Sequence, residues 1–271
     1  MSGDESQYLG GLPAWDGALY AANTGHHRRF DARFIESTPF EPGQRVLDLG
    51  CGSGDFTAAV AELVGDPGHV VGLDPQPSML EQAATRARPN QSFVLGRAQG
   101  LGGLVEPASF DLVFSRSVLN WVPAGQLPGI WQAVATALRP GGWFRVDAGG
   151  AGNIPQARPL LDEVSAGLGG PTAPWTFLDA SEALALAEGA RFDPDAPGAF
   201  VRTTAQRRPF DEASLLGWLR SQCFQAYEIG LPAEAHAEFR ASVEARLDEL
   251  RRDDGTFDQT FVRLDVLVRL T

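Results

Sequence analysis

The sequence has few cysteines, fewer basic than acidic side chains and no long apolar stretch. Its 271 residues include two cysteines, Cys51 and Cys223, which are too few and too far apart for a disulfide framework or a paired-cysteine metal site. The formal net charge of −12 disfavours a nucleic-acid backbone as the main partner, because phosphate binding needs a basic patch. No apolar run approaches the length of a membrane span. We therefore expect no metal and neither nucleic-acid nor membrane partners.

The first residues lack the basic start and apolar core of a signal peptide, and we expect a cytoplasmic protein. Hydrophobic residues make up 44% of the chain and charged residues 21%, as in ordinary globular proteins. A chain of this length can bury a full core, as one domain or as one domain with an appendage. A mostly helical pattern covers residues 14–37 and ends before Pro39, Pro42 and Gly43. It predicts an N-terminal helical lid over residues 1–40.

Strand-like and helix-like segments alternate through the middle of the chain. The strand-like segments, in order, are RVLDLG, HVVGLD, SFVLGRA, FDLVFSRS and WFRVDA. The helix-like segments among them are DFTAAVAELVG, SMLEQAATRAR and LPGIWQAVATALRPGG. Alternation of this kind is typical of βαβ units, which build a parallel sheet covered by helices on both faces. The pattern predicts an α/β fold with a doubly wound sheet.

The C-terminal part of the chain is less regular. FLDASEALALAEGARF predicts a helix capped by Asp179 or Ser181, AFVRTTAQRRPF is strand-like, and DQTFVRLDVLVRL alternates as a last strand should. Between the two strands lie two amphipathic helical patterns, DEASLLGWLRSQCFQAYEIG and PAEAHAEFRASVEARLDELRR. They predict a helical cap insertion over residues 211–256, near the ligand-binding edge of the sheet. The core would then comprise residues 41–210 and 257–271.

The stretch VLDLGCGSGDFT, residues 46–57, places a glycine-rich loop between a strand and a helix. Open α/β sheets bind ligands at this point. A dinucleotide fingerprint would have its third glycine where this loop has Asp55, and a carboxylate there would repel a phosphate. Asp48 adds negative charge at the end of the strand. We therefore favour a ligand with a positively charged group, such as an ammonium or sulfonium, over a dinucleotide or a tight turn without a ligand.

The second strand ends in Asp74, twenty residues after Gly54. An acid at the end of this strand accepts hydrogen bonds from both hydroxyls of a ribose. Pro75 and Pro77 leave a simple turn as the alternative. Because a glycine loop precedes Asp74 at this distance, we favour the ribose interpretation.

Four motifs in order resemble those of class I S-adenosylmethionine-dependent methyltransferases. They are VLDLGCGSGDFT, VVGLDPQPSML, FDLVFSRSVLNWVP and ALRPGGWFRVD, and they span about residues 43–148. Within that superfamily, LNWVP and the C-terminal helical insertion most resemble the group containing trans-aconitate methyltransferase and other small-acid methyltransferases. The resemblance implies a Rossmann-like core with a seven-stranded, mostly parallel sheet whose last strand is antiparallel. It also implies S-adenosyl-L-methionine as cofactor and a small-molecule acceptor.

The resemblance further implies a layout of the cofactor site. The glycine loop would approach the methionine and ribose parts, Asp74 would bind the ribose hydroxyls, and Asp48 would lie near the methionine end. Where the family commonly has an acid that pairs with the adenine amino group, this chain has Arg97, which cannot accept that hydrogen bond. Gln99 or a backbone carbonyl would replace it. The cofactor-binding candidates are Asp48, Gly50, Cys51, Gly52, Gly54, Asp74, Pro75, Gln76, Met79, Ala98, Gln99 and Ser115.

The catalytic candidates are His26, His27 and Asp147. For the histidines an ordinary lid or surface role is the alternative, and for Asp147 a turn carboxylate. The substrate candidates come from the lid, the loop after the fourth strand and the insertion, with arginines that would clamp an anionic acceptor. They are Tyr20, Arg116, Asn120, Trp121, Trp218, Arg220 and Tyr227.

A carboxylate acceptor is ionised near neutral pH and needs no base, whereas a phenol, an alcohol or a carbon acid needs one. The scarcity of base candidates and the resemblance predict O-methylation of a carboxylic acid or a related acceptor. Two alternatives stay open. One is O- or C-methylation of a phenolic or polyketide-like compound with a histidine base, and the other is a non-methylating cyclase or binding protein that keeps the cofactor fold.

Overall fold

The computed structural model describes residues 27–172 and 174–271, and of residues 27–31 it describes the backbone alone. The strands are β1 (Arg45–Leu49), β2 (His69–Asp74), β3 (Gln91–Leu95), β4 (Phe110–Arg116), β5 (Leu138–Gly149), β6 (Phe192–Asp193), β7 (Phe200–Phe210) and β8 (Phe257–Leu270). The helices are α1 (His27–Glu36), α2 (Asp55–Val64), α3 (Pro77–Ala84), α4 (Leu127–Ala137), α5 (Arg158–Gly167), α6 (Ala180–Gly189), α7 (Glu212–Trp218), α8 (Phe224–Glu228) and α9 (His236–Ala245).

All these strands belong to one sheet with the order β3-β2-β1-β4-β5-β8-β6, and β7 also pairs with β8. Strands β1 to β5 pair in parallel, and β8 is antiparallel to β5, β6 and β7. The prediction of a doubly wound, mostly parallel sheet with an antiparallel last strand is confirmed. The described residues form eight strands rather than seven, because the two-residue β6 adds to the edge of β8.

Both faces of the sheet are covered, and this is why most residues of its parallel strands are apolar. On one face Trp131 of α4 meets Phe144 of β5 edge to face at 4.9 Å, and Phe192 packs beside them. The other face carries Val46 and Phe114, which α1 and α2 cover. On the first face α6 begins with Asp179, one of the two predicted caps, as N-cap in a full capping box with Glu182.

A buried arginine joins α1 to the sheet. Arg145 of β5 is 2% exposed and donates a hydrogen bond to Thr38 Oγ1 at 3.2 Å, just after α1. Its guanidinium carbon lies 4.4 Å from the ring centre of Phe34 in α1. The Nη1 atom of the same guanidinium forms an ion pair with Asp265 of β8. Because a buried guanidinium needs partners on every side, this cluster fixes where α1 ends against the sheet. Most of the predicted lid, residues 1–26, lies outside the described residues.

The helices between β7 and β8 form a separate hydrophobic cluster together with α5. Tyr227 and Phe239 stack at 5.6 Å in this cluster, and Arg240 donates two hydrogen bonds to the Glu228 carboxylate, at 2.5 and 2.9 Å. The predicted division into lid, core and cap stays a proposal, and we would place α5 with the cap because it packs there. None of the described helices has the length and apolar character needed to span a membrane.

Candidate active site

The glycine loop lies at the carboxyl ends of the parallel strands, where the strand order reverses. β2 and β3 lie on one side of β1, and β4 and β5 lie on the other. Such a switch point forms the ligand-binding crevice of open α/β sheets. A side chain on Gly50 would collide with Val118 in the loop after β4, so the two loops approach each other closely at the floor of the crevice.

Two glycines of the loop serve different purposes. Gly54 has a φ of +77°, and a Cβ there would lie 2.8 Å from the Cβ of Ala83, so this glycine lets α2 and α3 pack closely. Gly52 has a φ of +54°, and the space around its missing Cβ is open to 4 Å. A ligand can therefore approach the backbone at Gly52 without meeting a side chain.

Asp74 stands beside this open backbone. Its Oδ2 accepts a hydrogen bond from the Gly52 amide at 2.9 Å, and its Oδ1 accepts one from the Gln76 amide at 2.9 Å. The residue is 7% exposed, and burial raises the pKa of its carboxyl group while the two backbone bonds lower it. Each carboxylate oxygen keeps a lone pair for a further donor. This arrangement suits a pair of ligand hydroxyls.

One further acid and one thiol of the motif, Asp48 and Cys51, are buried. Asp48, 3% exposed, accepts a hydrogen bond from Thr57 Oγ1 at 2.7 Å. Burial raises the pKa of the Asp48 carboxyl from 3.8 to about 7, although the Thr57 bond and the charge of Arg116 act in the opposite direction. Burial also raises the pKa of the Cys51 thiol. Asp48 is therefore a carboxyl whose charge responds to its surroundings near neutral pH. A contact between Cys51 and a cofactor stays a prediction.

A cavity of about 280 Å³ extends from the glycine loop to the helices between β7 and β8. Its walls include six of the twelve cofactor candidates and four of the seven substrate candidates. From the cofactor candidates the walls include Gly50, Gly52, Asp74, Pro75, Gln76 and Met79. From the substrate candidates they include Arg116, Asn120, Trp121 and Trp218.

Two substrate candidates are placed elsewhere. Arg220 is half exposed and pairs with Glu244 at 2.8 Å. Tyr227 is buried in the helical cluster, where its hydroxyl donates a hydrogen bond to Asp162 at 2.8 Å. Arg220 points away from the cavity because Trp218 faces it, and a residue two positions further along a helix points to nearly the opposite side. We therefore withdraw Arg220 and Tyr227 as substrate contacts.

Ser115, Ala98 and Gln99, three of the cofactor candidates, are not part of the walls. Ser115 is buried in β4 and donates a hydrogen bond through Oγ to the Leu49 carbonyl at 3.0 Å. Ala98 is buried, and Gln99 is exposed and bonded to Gln126 at 2.8 Å. Their contacts with a cofactor stay predictions. Ser117, two residues after Ser115, lines the cavity instead and has a φ of +58°.

An ion cluster of Asp147, Arg116 and Arg263 lies at the cavity. Asp147, at the end of β5, accepts a hydrogen bond from Arg263 Nε at 2.8 Å, and Arg263 Nη2 lies 2.5 Å from the same oxygen. Arg116 Nε is 4.0 Å from the other Asp147 oxygen. The Arg116 guanidinium also lies over the rings of Phe34 and Phe56, at 4.8 and 4.1 Å from their centres. Asp147 thus orients Arg263 and lies within ion-pair distance of Arg116, and both arginines line the cavity.

The histidine predictions fall largely outside the structure. Tyr20, His26 and the side chain of His27 lie outside the described residues. Of the other histidines, His69 pairs with Ser92 on the surface, and His236 bonds to backbone carbonyls at the start of α9, so both have structural roles.

Sequence reasoning missed about half of the walls. The missed residues are Ser117, Val118, Gly149, Asn153, Ile154, Trp175, Phe177, Gln222, Phe261 and Arg263. One signal was available for Arg263: it is an arginine of the predicted last strand, which must lie beside the strand that ends in Asp147. The irregular segment that holds Trp175 and Phe177 has no periodicity from which their direction could be read.

The residues present fit S-adenosylmethionine. The bare backbone at Gly52 admits a ligand closely, Asp74 offers acceptors for ribose hydroxyls, and Met79 gives the cavity an apolar wall. The buried carboxyl of Asp48 lies under the loop, where negative charge favours a cation.

Comparisons with known proteins agree with this fit. Residues 46–142 match a family model described as a methyltransferase domain. The chain is 30% identical over 269 residues to a trans-aconitate 2-methyltransferase of Methylobacterium radiotolerans, covering 94% of this chain and 98% of that protein. It is also 30% identical to the enzyme of the same name from Methylobacterium nodulans, over 95% of this chain and 98% of that one.

Solved structures share the fold. The YcgJ protein of Bacillus subtilis aligns with a TM-score of 0.62 at 18% identity, over 90% of this chain and 99% of that one. A phosphoethanolamine N-methyltransferase of Haemonchus contortus, in complex with S-adenosylhomocysteine, aligns with a TM-score of 0.59 at 17% identity, over 99% of this chain and 61% of that one. The cofactor is S-adenosylmethionine, and the chain belongs to the family of S-adenosylmethionine-dependent methyltransferases that contains trans-aconitate 2-methyltransferase.

Proposed function

We propose that this methyltransferase acts on a carboxylate oxygen of a small acid. The observation that carries the proposal is the pair of guanidinium groups, Arg116 and Arg263, in the wall of the cavity beyond the glycine loop. A planar guanidinium suits carboxylate recognition because it can donate two parallel hydrogen bonds. The relatives named trans-aconitate 2-methyltransferase support the same chemistry.

S-adenosylmethionine supplies a methyl group bound to a sulfonium, and the sulfur is left as a neutral thioether when the methyl group is transferred. The protein supplies alignment, a dry site and a fixed charge. Asp147 holds the Arg263 guanidinium through the 2.8 Å bond, and the rings of Phe34 and Phe56 hold that of Arg116. Two guanidinium groups with fixed directions can orient an acceptor carboxylate toward the methyl group.

The described walls offer binding groups rather than a base. Burial raises the pKa of the Cys223 thiol, so it stays protonated. Asp147 already accepts hydrogen bonds from Arg263. A carboxylate acceptor needs no proton removed, whereas a phenol or carbon acid would need His26 or His27. Membership of the methyltransferase family sets aside the non-methylating alternative.

The test uses S-adenosylmethionine labelled in its methyl group, offered in parallel with carboxylic acids, phenols and carbon acids. A methyl ester releases labelled methanol on mild alkaline hydrolysis, whereas an aryl ether or a methylated carbon keeps the label. We expect labelled methanol from the acids. A product that keeps its label after hydrolysis contradicts the proposal.

A histidine double variant separates the proposed reaction from the base-assisted alternative. Replacing His26 and His27 by Ala should leave turnover of an acid nearly unchanged, because no proton is removed. A loss of roughly 10²–10⁴ in rate, with cofactor binding retained, would indicate base-assisted methylation instead.

A further inference from the structure

Two amide side chains in the cavity wall each carry a buried atom without a hydrogen-bond partner. Asn120 is 8% exposed, and neither its Oδ1 nor the Nε2 of Gln222 forms a hydrogen bond within the described residues. Both residues line the cavity, whereas Gln91 and Gln259, whose Nε2 atoms are also unpartnered, do not. Buried polar groups normally have partners, and of these four residues only Asn120 and Gln222 are within reach of a ligand in the cavity. Their two atoms therefore indicate polar groups of the ligand.

The backbone around Asn120 is fixed against another part of the wall. Asn120 lies in a short 3₁₀ turn, Leu119–Trp121, which follows β4. Its carbonyl oxygen accepts a hydrogen bond from the Thr176 amide at 2.9 Å, and the ring of Trp121 meets that of Trp175 edge to face at 6.0 Å. Trp121 and Trp175 line the same cavity. The Asn120 side chain therefore belongs to a part of the wall that is held at two points.

Gln222 enters the wall from an irregular part of its helix. It belongs to a π-helical turn, Leu219–Cys223, which joins α7 to α8. Turns of this kind inside longer helices occur frequently at functional sites. Trp218, the residue before the turn, and Cys223, its last residue, also line the cavity. The turn thus adds an amide donor beside the apolar surface of Trp218.

The chemistry of the two atoms restricts the group that binds them. An amide oxygen only accepts hydrogen bonds, and an amide nitrogen only donates them. The carboxylate of a methyl acceptor can accept from Gln222 but has no hydrogen for Asn120 Oδ1, so the ligand needs a donor besides the carboxylate. A hydroxyl donates one hydrogen bond and accepts two, so it can serve either atom. An ammonium can donate to Asn120 but cannot accept from Gln222.

We propose that the methyl acceptor is a hydroxy acid, and that Asn120 and Gln222 select it by hydrogen bonding to its hydroxyl group. This inference rests on the proposed methylation of a carboxylate and adds the class of acid. A carboxylate oxygen forms the bond to the methyl carbon as the bond from that carbon to sulfur breaks, and the hydroxyl keeps its proton. A site that binds a substrate hydroxyl discriminates strongly against the analogue without it, because its buried polar groups are then left unpaired.

The first test compares acids in pairs that differ by one hydroxyl. The pairs are mandelate and phenylacetate, malate and succinate, and citrate and tricarballylate, with phenylglycine and trans-aconitate as references. Turnover is followed with S-adenosylmethionine labelled in its methyl group, and esters are identified by the labelled methanol that they release on mild alkaline hydrolysis. In the pair with the highest turnover, we expect kcat/KM for the hydroxy acid to exceed that for its partner at least about tenfold.

The outcomes separate the two proposals. Equal kcat/KM within that pair, or a higher value for trans-aconitate or phenylglycine than for every hydroxy acid, overturns the hydroxy-acid inference, while the esters formed still support carboxylate methylation. A methyl ether on the hydroxyl, or the absence of ester from every acid, overturns the proposed function and this inference with it.

Substitutions of the two amides provide the second test. Asn120→Leu and Gln222→Met remove the polar atoms with little change in size, and we expect each to lower the preference for the hydroxy acid at least about tenfold. The matched control is Gln225→Met, since Gln225 also has an unpartnered amide atom but does not line the cavity. It should leave the preference unchanged.

Calorimetry with S-adenosylhomocysteine identifies the other possible partner, because the cofactor also carries hydroxyl and amino groups. We expect both variants to bind S-adenosylhomocysteine as tightly as the unsubstituted protein does. Weaker binding by Asn120→Leu, with an unchanged preference for the hydroxy acid, would assign Asn120 to the cofactor and overturn the inference. A folded Gln222→Met variant that keeps the full preference would overturn the role of Gln222.

Discussion

Replacing Asp48 by Asn should stabilise the protein more at alkaline than at acidic pH. The Asp48 carboxyl is buried in β1 and has a pKa of about 7 instead of 3.8, mainly because burial disfavours its charge. An aspartate whose pKa is raised on folding binds more protons in the folded than in the unfolded state between these two values. Stability therefore falls as the pH rises from about 4 to about 7, and the Asn variant, which cannot ionise, escapes this loss.

The magnitude follows from the pKa difference. Each pKa unit corresponds to about 1.4 kcal/mol, so the full cost of ionised Asp48 above pH 7 is about 4 kcal/mol. About 1.6 kcal/mol of this is already present at pH 5, so the advantage of the variant should grow by about 3 kcal/mol between pH 5 and pH 8. Thr57 can keep its hydrogen bond, because the amide oxygen of Asn accepts it as the carboxylate oxygen does.

The assay is urea unfolding of both proteins at pH 5 and pH 8, without cofactor, followed by tryptophan fluorescence. Asp66→Asn is the control, since Asp66 is exposed and follows the end of α2. We expect its effect on the free energy of unfolding to be small at both pH values. An effect of Asp48→Asn that is the same at pH 5 and pH 8 would refute the reasoning.

Three further substitutions test other parts of the structure. Asp74→Asn should weaken S-adenosylmethionine binding in calorimetry at least tenfold, because each charge-assisted hydrogen bond to the ribose is worth about 1.5–3 kcal/mol, and unchanged affinity would exclude the ribose role. Arg263→Ala should lower kcat/KM for a carboxylic acid acceptor in steady-state kinetics, by an amount equivalent to about 2–4 kcal/mol of lost transition-state stabilisation, while Arg220→Ala should not. Equal effects of the two substitutions would contradict a role of Arg263 in binding the acceptor. Arg145→Met should reduce the free energy of unfolding in urea by about 2–3 kcal/mol, because Asp265 loses a buried partner but keeps Arg202, and no loss would refute that role.

Much of the sheet was predictable because its signals are local. Each parallel strand is a short apolar run that ends in a glycine, an acid or a polar turn, as β1 and β2 do at Gly50 and Asp74. The capping box at Asp179 is likewise a pattern of four residues. β6 was missed because two residues carry no period, and its pairing depends on the end of β8.

The parts of the candidate site also differ in how far local sequence signals predict them. The cofactor side lies in one loop and the next strand end, so spacing alone indicated Gly52 and Asp74. The proposed acceptor side depends on tertiary packing, since Arg263 reaches Asp147 only because β8 pairs antiparallel with β5. The direction of Arg220 likewise depends on tertiary packing, because no local pattern tells which face of its helix meets the cavity.

The most direct test of carboxylate methylation is the mass of the product made from an acid labelled with heavy oxygen in its carboxylate and S-adenosylmethionine with a deuterated methyl group. The protein should be given phenylacetate and trans-aconitate in separate reactions. We predict a methyl ester that keeps both heavy oxygens and the deuterated methyl group, and that releases deuterated methanol with one heavy oxygen on alkaline hydrolysis. A product whose deuterated methyl group stays on carbon, or on an oxygen other than those of the carboxylate, would contradict the account.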